Sequence, residues 1–546
     1  MHHEQAGNPH TRRDLFRAGG VLLAAAATSP LLPAPTAAAR THPASGAPSG
    51  PSAGWQSKIL HYGDDGKLVY VPDSNGNRIP DFSFAGYRNG ETPLPEVPAV
   101  LTIRPVSGDN TAHIQAALNE VGQREPDGNG HRGAVLLRPG TYRVSGTIRV
   151  NRTGVVLRGS GESVDPEIGT IIRATGDSRQ TYVIEVGGQT DEWATEVPGT
   201  RTDVTSEFVQ VGSRTFTVAD ASRLSIGDNL IIRHPCTKEW LSAIDGGGTG
   251  SQPPWGVGER PIIYNRYVRD IQGNEITVCA PVFNHLDRSL ARSSVYVWDN
   301  TELVRDVGVE SLRVDIQAAG AEDENHAQSG IRLRRVEDAW VRDVTVLHFS
   351  FAGIDTRAAT RVTVRDVRAS HPRSRIAGGR RYNFNAGALA QQVLFQGLWA
   401  THARHAFVSN GTSRTSGCVW QDGFNQEGYS ESGGHHRWSQ GLLLDNIKEL
   451  DSNSGRGHVI ALHCRGALGT GHGWSSVHSV AWNCTVDNGK HVAVQRPPTA
   501  QNYAIGTAGK ASGNGWTDQP AGHIEGTNRG GLEPSSLYRA QLSDRL

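Results

Sequence analysis

One tetrapeptide constrains this chain more than any other feature. Val304-Arg305-Asp306-Val307 recurs as Val341-Arg342-Asp343-Val344 and again as Val364-Arg365-Asp366-Val367. The second and third copies lie 23 residues apart, within the period of stacked solenoid repeats. The first step is 37 residues, which fits one coil plus an insertion such as residues 318–330, AAGAEDENHAQSG. Strand alternation is expected to point the valines inward and the Arg and Asp outward. A helical reading fails, because Gly and β-branched residues dominate the flanks. A solenoid also answers the length. At 546 residues the chain exceeds one ordinary compact domain, whereas each solenoid coil packs only on its neighbours. The 65 glycines and single methionine suit many short strands joined by turns. Later coils are expected at residues 393–400, 441–447, 458–464 and 479–484.

The start of the folded part is more specific. Gly108-Asp109-Asn110-Thr111 precedes AHIQAALNEV, where Ile114, Ala117, Leu118 and Val121 share one helical face. Asp109 or Asn110 can cap that helix. V-L-L-x-P-G-x-Y-x-V follows at residues 135–144, and V-V-L-x-G-x-G at 155–161. This series resembles the opening of pectate-lyase-like right-handed parallel β-helix domains. The resemblance covers roughly residues 100–510. It implies an all-β solenoid whose N-terminal helix caps the open end, hiding a sheet edge and an apolar core. Between residues 203 and 290 the coil rhythm breaks into antiparallel-type strands, SRTFTVADASRLSIGDNLIIRHP and YVRDIQGNEITVCAPV. A small inserted β subdomain is expected there, with a loop around 246–258 between its halves.

Arg12-Arg13, Leu15-Phe16 and the apolar run GGVLLAAAA resemble a twin-arginine export signal, with Ala37-Ala38-Ala39 as a cleavage site. The run is about half the ~20 residues that span a bilayer. The expected organisation is a signal peptide at 1–39 and a Pro/Ser/Gly/Ala linker at 40–54. Residues 55–202 then hold the N-terminal segment and first coils, 203–290 the insert, 291–510 the main coils and 511–546 a tail. The mature protein is expected to be secreted, outside the cytoplasm, with no membrane insertion after signal removal.

Net formal charge is zero, which argues against nucleic acid as a partner. Five cysteines, Cys236, Cys279, Cys418, Cys464 and Cys484, are too few for a disulfide scaffold. No CxxC spacing suggests structural zinc. From His371 to Lys510, however, 13 Lys and Arg face 7 Asp and Glu, and ten of the 22 histidines fall there. That bias fits an anionic ligand, an acidic polysaccharide or oligosaccharide.

The candidate site is drawn from this stretch. It contains Arg380-Arg381-Tyr382-Asn383, Arg404-His405, His435-His436-Arg437-Trp438, His458, His463 and His472-Gly473-Trp474. Arg381 to His405 is 24 residues, His405 to His436 is 31, and His436 to His458 is 22, steps near one coil that stack residues on one face. β-Elimination on a uronic acid needs cations to neutralise the carboxylate, a base for the C5 proton and an acid for the leaving oxygen. Arg380, Arg381 or Arg437 fits the clamp, His405 or His436 the base, and Tyr382 the acid. Arg404, His435 and His472 join the binding face, and Trp438 and Trp474 are expected to stack on sugar rings. The expected function is therefore a polysaccharide lyase on a uronic-acid-containing glycan. One alternative is a β-helix hydrolase with paired carboxylates. Gly471-His472-Gly473 resembles the G-H-G of polygalacturonase-type hydrolases, but their N-T-D and D-D partners are missing, and Asp422 and Asp445 stand alone. A non-catalytic glycan-binding surface protein is the other alternative. No cofactor is required on this reading. Ca²⁺ stays open through Glu322-Asp323-Glu324 with Asp355, without a match to the pectate-lyase calcium cluster. Asp73, Asn75, Asn77 and Asp81 have calcium-loop spacing, but Phe84 replaces the bidentate Glu and a plain turn is favoured.

Overall fold

The computed structural model describes residues 54–188, 193, 195–487 and 489–546. The expected signal peptide and nearly all of the expected linker lie outside the described residues. The main body is a parallel β-helix made of three ladders. One ladder steps through Ala134, Val156, Gly308, Trp340, Thr363, Leu394, Val419, Leu443, Val480 and Tyr503. A second joins Ile171, Arg313, Thr345, Arg368, Trp399, Phe424 and Lys448. The third joins Ile148, Ile184, Ile331, Ile354, Phe384 and Phe407. Those six side chains are wholly buried and stack along the solenoid interior. The strand Ser329–Leu347 nearly completes one coil, pairing into all three ladders in turn.

The VRDV copies explain how a strand turns a corner. Strict alternation would send the two valines of V-x-x-V to opposite faces. Both are buried because the Asp between them adopts left-handed φ, 51° at Asp306, 54° at Asp343 and 55° at Asp366. Asp tolerates that region better than branched residues do. The corner of Asp343 and Asp366 continues through Gly397, Asp422, Asn446, Asn483 and Gly506, all with positive φ. Here Asn483 Nδ2 donates to Asn446 Oδ1 at 2.8 Å and Asn446 Nδ2 to Asp422 Oδ1 at 3.3 Å. The register corrects one expectation. Val341 pairs with Val364, but Val304 pairs with Val336, so the first VRDV occupies the preceding corner. The 37-residue step is therefore not one coil plus an insertion.

The helix Thr111–Gly122 buries Ile114, Ala117, Leu118 and Val121 against the first coils. Asn110 is its N-cap residue, while Asp109 Oδ1 accepts from Thr111 N at 2.8 Å. The insert is a six-stranded antiparallel sheet, ordered Thr202–Asp203, Ser294–Val297, Asn229–His234, Ile262–Gln272, Glu275–Val278 and Thr215–Thr217. Its Phe283, Trp240 and Trp255 share one apolar core with Trp438, Trp474 and Trp482 from the outside of the coils. The residues expected as a tail, together with Lys510, supply the ladder strands Lys510–Ser512 and His523–Glu525, then the helix Leu537–Arg545. Asp445, wholly buried, accepts from Ser536 Oγ at 2.7 Å and Tyr538 N at 3.0 Å, and Asp422 pairs with Arg539. Both lone carboxylates thus dock the C-terminal helix. All five cysteines are free and buried. Among the described residues, no helix is long and apolar enough to cross a membrane.

Candidate functional site

The third ladder delivers the first site residues. Tyr382 opens the strand Tyr382–Ala386, and His405 opens His405–Ser409 one coil later, directly in register. Their rings stack at 5.5 Å and 28°. The next coil brings Glu431 before the short strand Ser432–Gly434, and then His435 and His436 at the following corner. A further coil carries His458–Leu462, His463, Arg465 and the turn Leu468–Gly471 that presents His472.

These segments enclose a cleft of about 610 Å³. Five of the expected residues line it: Tyr382, Arg404, His435, His436 and His472. Arg456, Arg465, Tyr429 and Trp516 join them, none of which the sequence singled out. His435 is the hub, with ring centroids 5.0 Å from His472, 5.3 Å from His436 and 5.9 Å from Tyr382. His436 and His472 are 5.1 Å apart. No carboxylate is among the lining residues. Glu431, 1 % exposed, lies behind the wall, with Arg465 Nη1 at 3.1 Å and Trp516 Nε1 donating at 3.4 Å.

Hydrogen bonds fix several protonation states. Arg465 can only donate, so its 2.6 Å contact with His435 Nδ1 makes that nitrogen an acceptor and puts the proton on Nε2. His435 therefore offers the cleft a donor. Arg404 Nη1 donates to Tyr382 Oη at 3.3 Å, leaving the phenol proton free to be given elsewhere. Burial holds the histidines neutral, because imidazolium is costly away from water. His436 is lowered to about 3 by burial, then by His472 and Arg437. His472 is lowered to about 4 by burial, then by Arg465. Burial raises the Glu431 carboxyl, but Arg465, His405, His463 and His458 together outweigh it and hold the group well below the usual carboxylate range.

Six of the residues given a catalytic or binding role lie outside the cleft, as do His458 and His463. His405 is wholly buried under Tyr382, and its Nδ1 donates to the Glu431 carbonyl at 2.5 Å, so it cannot meet a substrate. Trp438 and Trp474 are 0 and 1 % exposed and face the insert, not a sugar. Trp438 Nε1 donates to Asn284 Oδ1 at 2.9 Å and its ring meets Trp240 edge-on at 5.8 Å. Arg380 is held by Glu324 at 2.5 Å, and Arg381 folds back on Ser374. Arg437 bonds Thr470. The His405–His436 spacing misled because His436 follows its strand at a corner and is out of register with the Tyr382–His405 column. The calcium candidates are also engaged elsewhere. Glu324 binds Arg380 and Arg375, Asp355 lies 3.4 Å from Arg332, and Asp73 accepts from Asn75 N and Asn77 N as a plain turn does.

No protein-family model matches the chain, and no curated protein sequence matches it. Similar solved structures are remote in sequence. The tailspike protein gp49 from Pseudomonas phage LKA1 is 14 % identical, with 74 % of this chain and 64 % of that one covered and a TM-score of 0.43. The chain thus spans under two thirds of that protein's length. An alginate lyase from Paenibacillus sp. str. FPU-7 is 10 % identical over 80 % of this chain and 99 % of its own, TM-score 0.38. The A-module of the Azotobacter vinelandii mannuronan C-5 epimerase AlgE6 is 12 % identical over 77 and 95 %, TM-score 0.32.

Proposed function

We propose that the protein is a polysaccharide lyase that cleaves a uronic-acid-containing glycan by β-elimination. One observation carries this reading: three arginines, three neutral histidines and two tyrosines, Tyr382 and Tyr429, converge on a cleft without a lining carboxylate. Arg404 and Arg456 meet the substrate carboxylate and draw off charge as the C5–H bond weakens. His435 Nε2–H supplies a further hydrogen bond to that group. His436 takes the C5 proton; it is neutral at ordinary pH, and a bound carboxylate raises its proton affinity as the reaction needs. Tyr382 gives its proton to the glycosidic oxygen as the C4–O bond breaks and the C4–C5 double bond forms. No water is consumed, so paired carboxylates are not needed.

The test is incubation with a panel of polyuronides, following the ultraviolet absorbance of unsaturated products. Unsaturated products on at least one acidic glycan support the reading. Reducing ends without absorbance on a neutral glycan would establish hydrolysis instead. Saturable glycan binding with no product of either kind would make the cleft a recognition site. Each of the last two results overturns the lyase.

A further inference from the structure

We propose that Glu431, His458 and His463 form a binding site for one divalent transition-metal ion of the zinc class, set directly behind the cleft wall. Their candidate ligand atoms lie within 4.8 Å of one another. All three side chains are buried, at 1, 5 and 0 % exposure. The site does not depend on the lyase reading, because it is defined by atoms that do not line the cleft.

The second observation concerns the histidine nitrogens. Among the described residues, no hydrogen-bond partner reaches either ring nitrogen of His463 or Nε2 of His458. A neutral imidazole carries one donor and one acceptor, so wholly buried His463 leaves both unmet by protein. Such groups are uncommon in native interiors and call for a ligand. The two rings meet edge-on, centroids 5.1 Å apart at 72°. That angle lets one nitrogen of each aim at a common point without the rings clashing.

The donor set selects the ion. Two imidazoles and one carboxylate are the ligands of an open tetrahedral zinc site, and imidazole disfavours calcium and magnesium. Zinc bonds of about 2.0–2.2 Å bring tetrahedral donors to about 3.4 Å of one another, so loading draws the three donors in from their spacing of within 4.8 Å. Chain order supports the site too. His458 opens the strand His458–Leu462 and His463 follows it directly, and Glu431 precedes its neighbour Ser432–Gly434 in the same ladder. The scaffold therefore fixes all three.

Two features give the site consequences for the cleft. The segment 513–517 covers it: a Cβ on Gly515 would lie 2.8 Å from His463 Nδ1, and Gln495 Nε2 ties Gly513 O and Thr517 O at 2.8 and 2.7 Å. The covering residue Trp516 lines the cleft and meets His458 at 5.9 Å. Arg465 shares Glu431 with the site. One carboxylate facing an arginine and a divalent ion leaves positive charge behind the wall, so metal and an anionic cleft ligand strengthen each other's binding.

The experiment uses the full chain, stripped with chelator and then titrated with Zn²⁺ and with Co²⁺. Bound metal is counted by elemental analysis, and the Co²⁺ form is read by its visible absorption. Expected are one tightly held ion per chain and a tetrahedral Co²⁺ spectrum. His463→Ala should lose at least 100-fold in affinity, as should Glu431→Gln in whichever variant keeps the wild-type circular dichroism. His2 and His3 are common to every variant, so a tail-bound ion would survive His463→Ala. Uptake below a fifth of an equivalent, or equal affinity in wild type and His463→Ala, overturns the proposal.

Discussion

Replacing Glu449 with Gln tests the electrostatics of the solenoid interior. Glu449 is 1 % exposed between coils. Ser432 Oγ lies 2.5 Å from its Oε1, and Asn425 Nδ2 donates to Oε2 at 2.6 Å. Neither neighbour is a cation, so burial pushes its carboxyl up to about 8, against the lowering effect of Ser432 and Asn425. The unfolded carboxyl titrates near the ordinary 4.5. Between those values the folded protein holds a proton that the unfolded chain has released. Its contribution to stability is therefore complete below about pH 4.5 and drains away as pH rises through about 8. The slope is at most about 1.4 kcal/mol per pH unit, so the whole interval is worth up to about 5 kcal/mol. Gln mimics the protonated acid: its amide reaches Ser432 Oγ and its carbonyl still accepts from Asn425. Urea unfolding of wild type and Glu449→Gln at pH 5, 6, 7, 8 and 9 gives the difference curve. Wild type should weaken relative to the variant by about 1 kcal/mol or more per pH unit between pH 5 and 8. Curves that stay parallel within about 0.5 kcal/mol across that range would refute the argument.

Three further outcomes follow from the site and its supports. Tyr382→Phe and His436→Gln are each expected to lower kcat by about 10²–10⁴, the usual value of a positioned acid or base, with KM changed less than tenfold; steady-state assay on the active glycan checks both. Glu324→Gln frees Arg380 at the cleft approach, so KM for an acidic glycan should fall at low salt and return to the wild-type value in about 1 M salt, where screening acts within about 3 Å. Gly417→Ala should cost about 2–5 kcal/mol in urea melts, because φ is +65° and the new Cβ would stand 2.6 Å from the Phe283 ring; a loss under about 1 kcal/mol would mean the insert is loosely seated.

The fold was legible because its signals are local. The capped opening, the Val-rich runs and the break near 203 all reflect periodicity or turn chemistry that neighbouring residues impose. The corner geometry was harder to read. V-R-D-V looks like an alternating strand, and only the left-handed Asp shows that it bends. For the same reason two copies of one motif fell on different corners. In the site, the His and Arg bias was visible, and five of the residues drawn from it line one cleft. Arg456 and Arg465 escaped notice although each lies two residues from a histidine of the ladder, because side-chain direction after a strand end has no sequence period. Trp516 belongs to residues expected as a tail, and Glu431 precedes Ser-Gly-Gly with no motif around it. Trp438 and Trp474 were misread because sequence does not say which side of a corner an aromatic ring takes.

That last error reveals how the insert serves the cleft. His435-His436-Arg437-Trp438 turns a corner with φ of 60° at Arg437 and 67° at Trp438. The histidines on one side line the cleft, while the tryptophan on the other is locked into the core of the insert. His472-Gly473-Trp474 repeats the device, with Gly473 at φ 57° and so close to the insert that a Cβ would lie 2.9 Å from Trp255. Trp255 Nε1 also donates to Gly471 O at 3.1 Å, one residue before His472. Two cleft walls are thus each one turn away from the same apolar anchor. A catalytic group is only as well placed as the packing that holds its backbone. The insert therefore acts as the rigid backing of the site: its aromatic core sets the distance between His435, His436 and His472 without any of its residues lining the cleft.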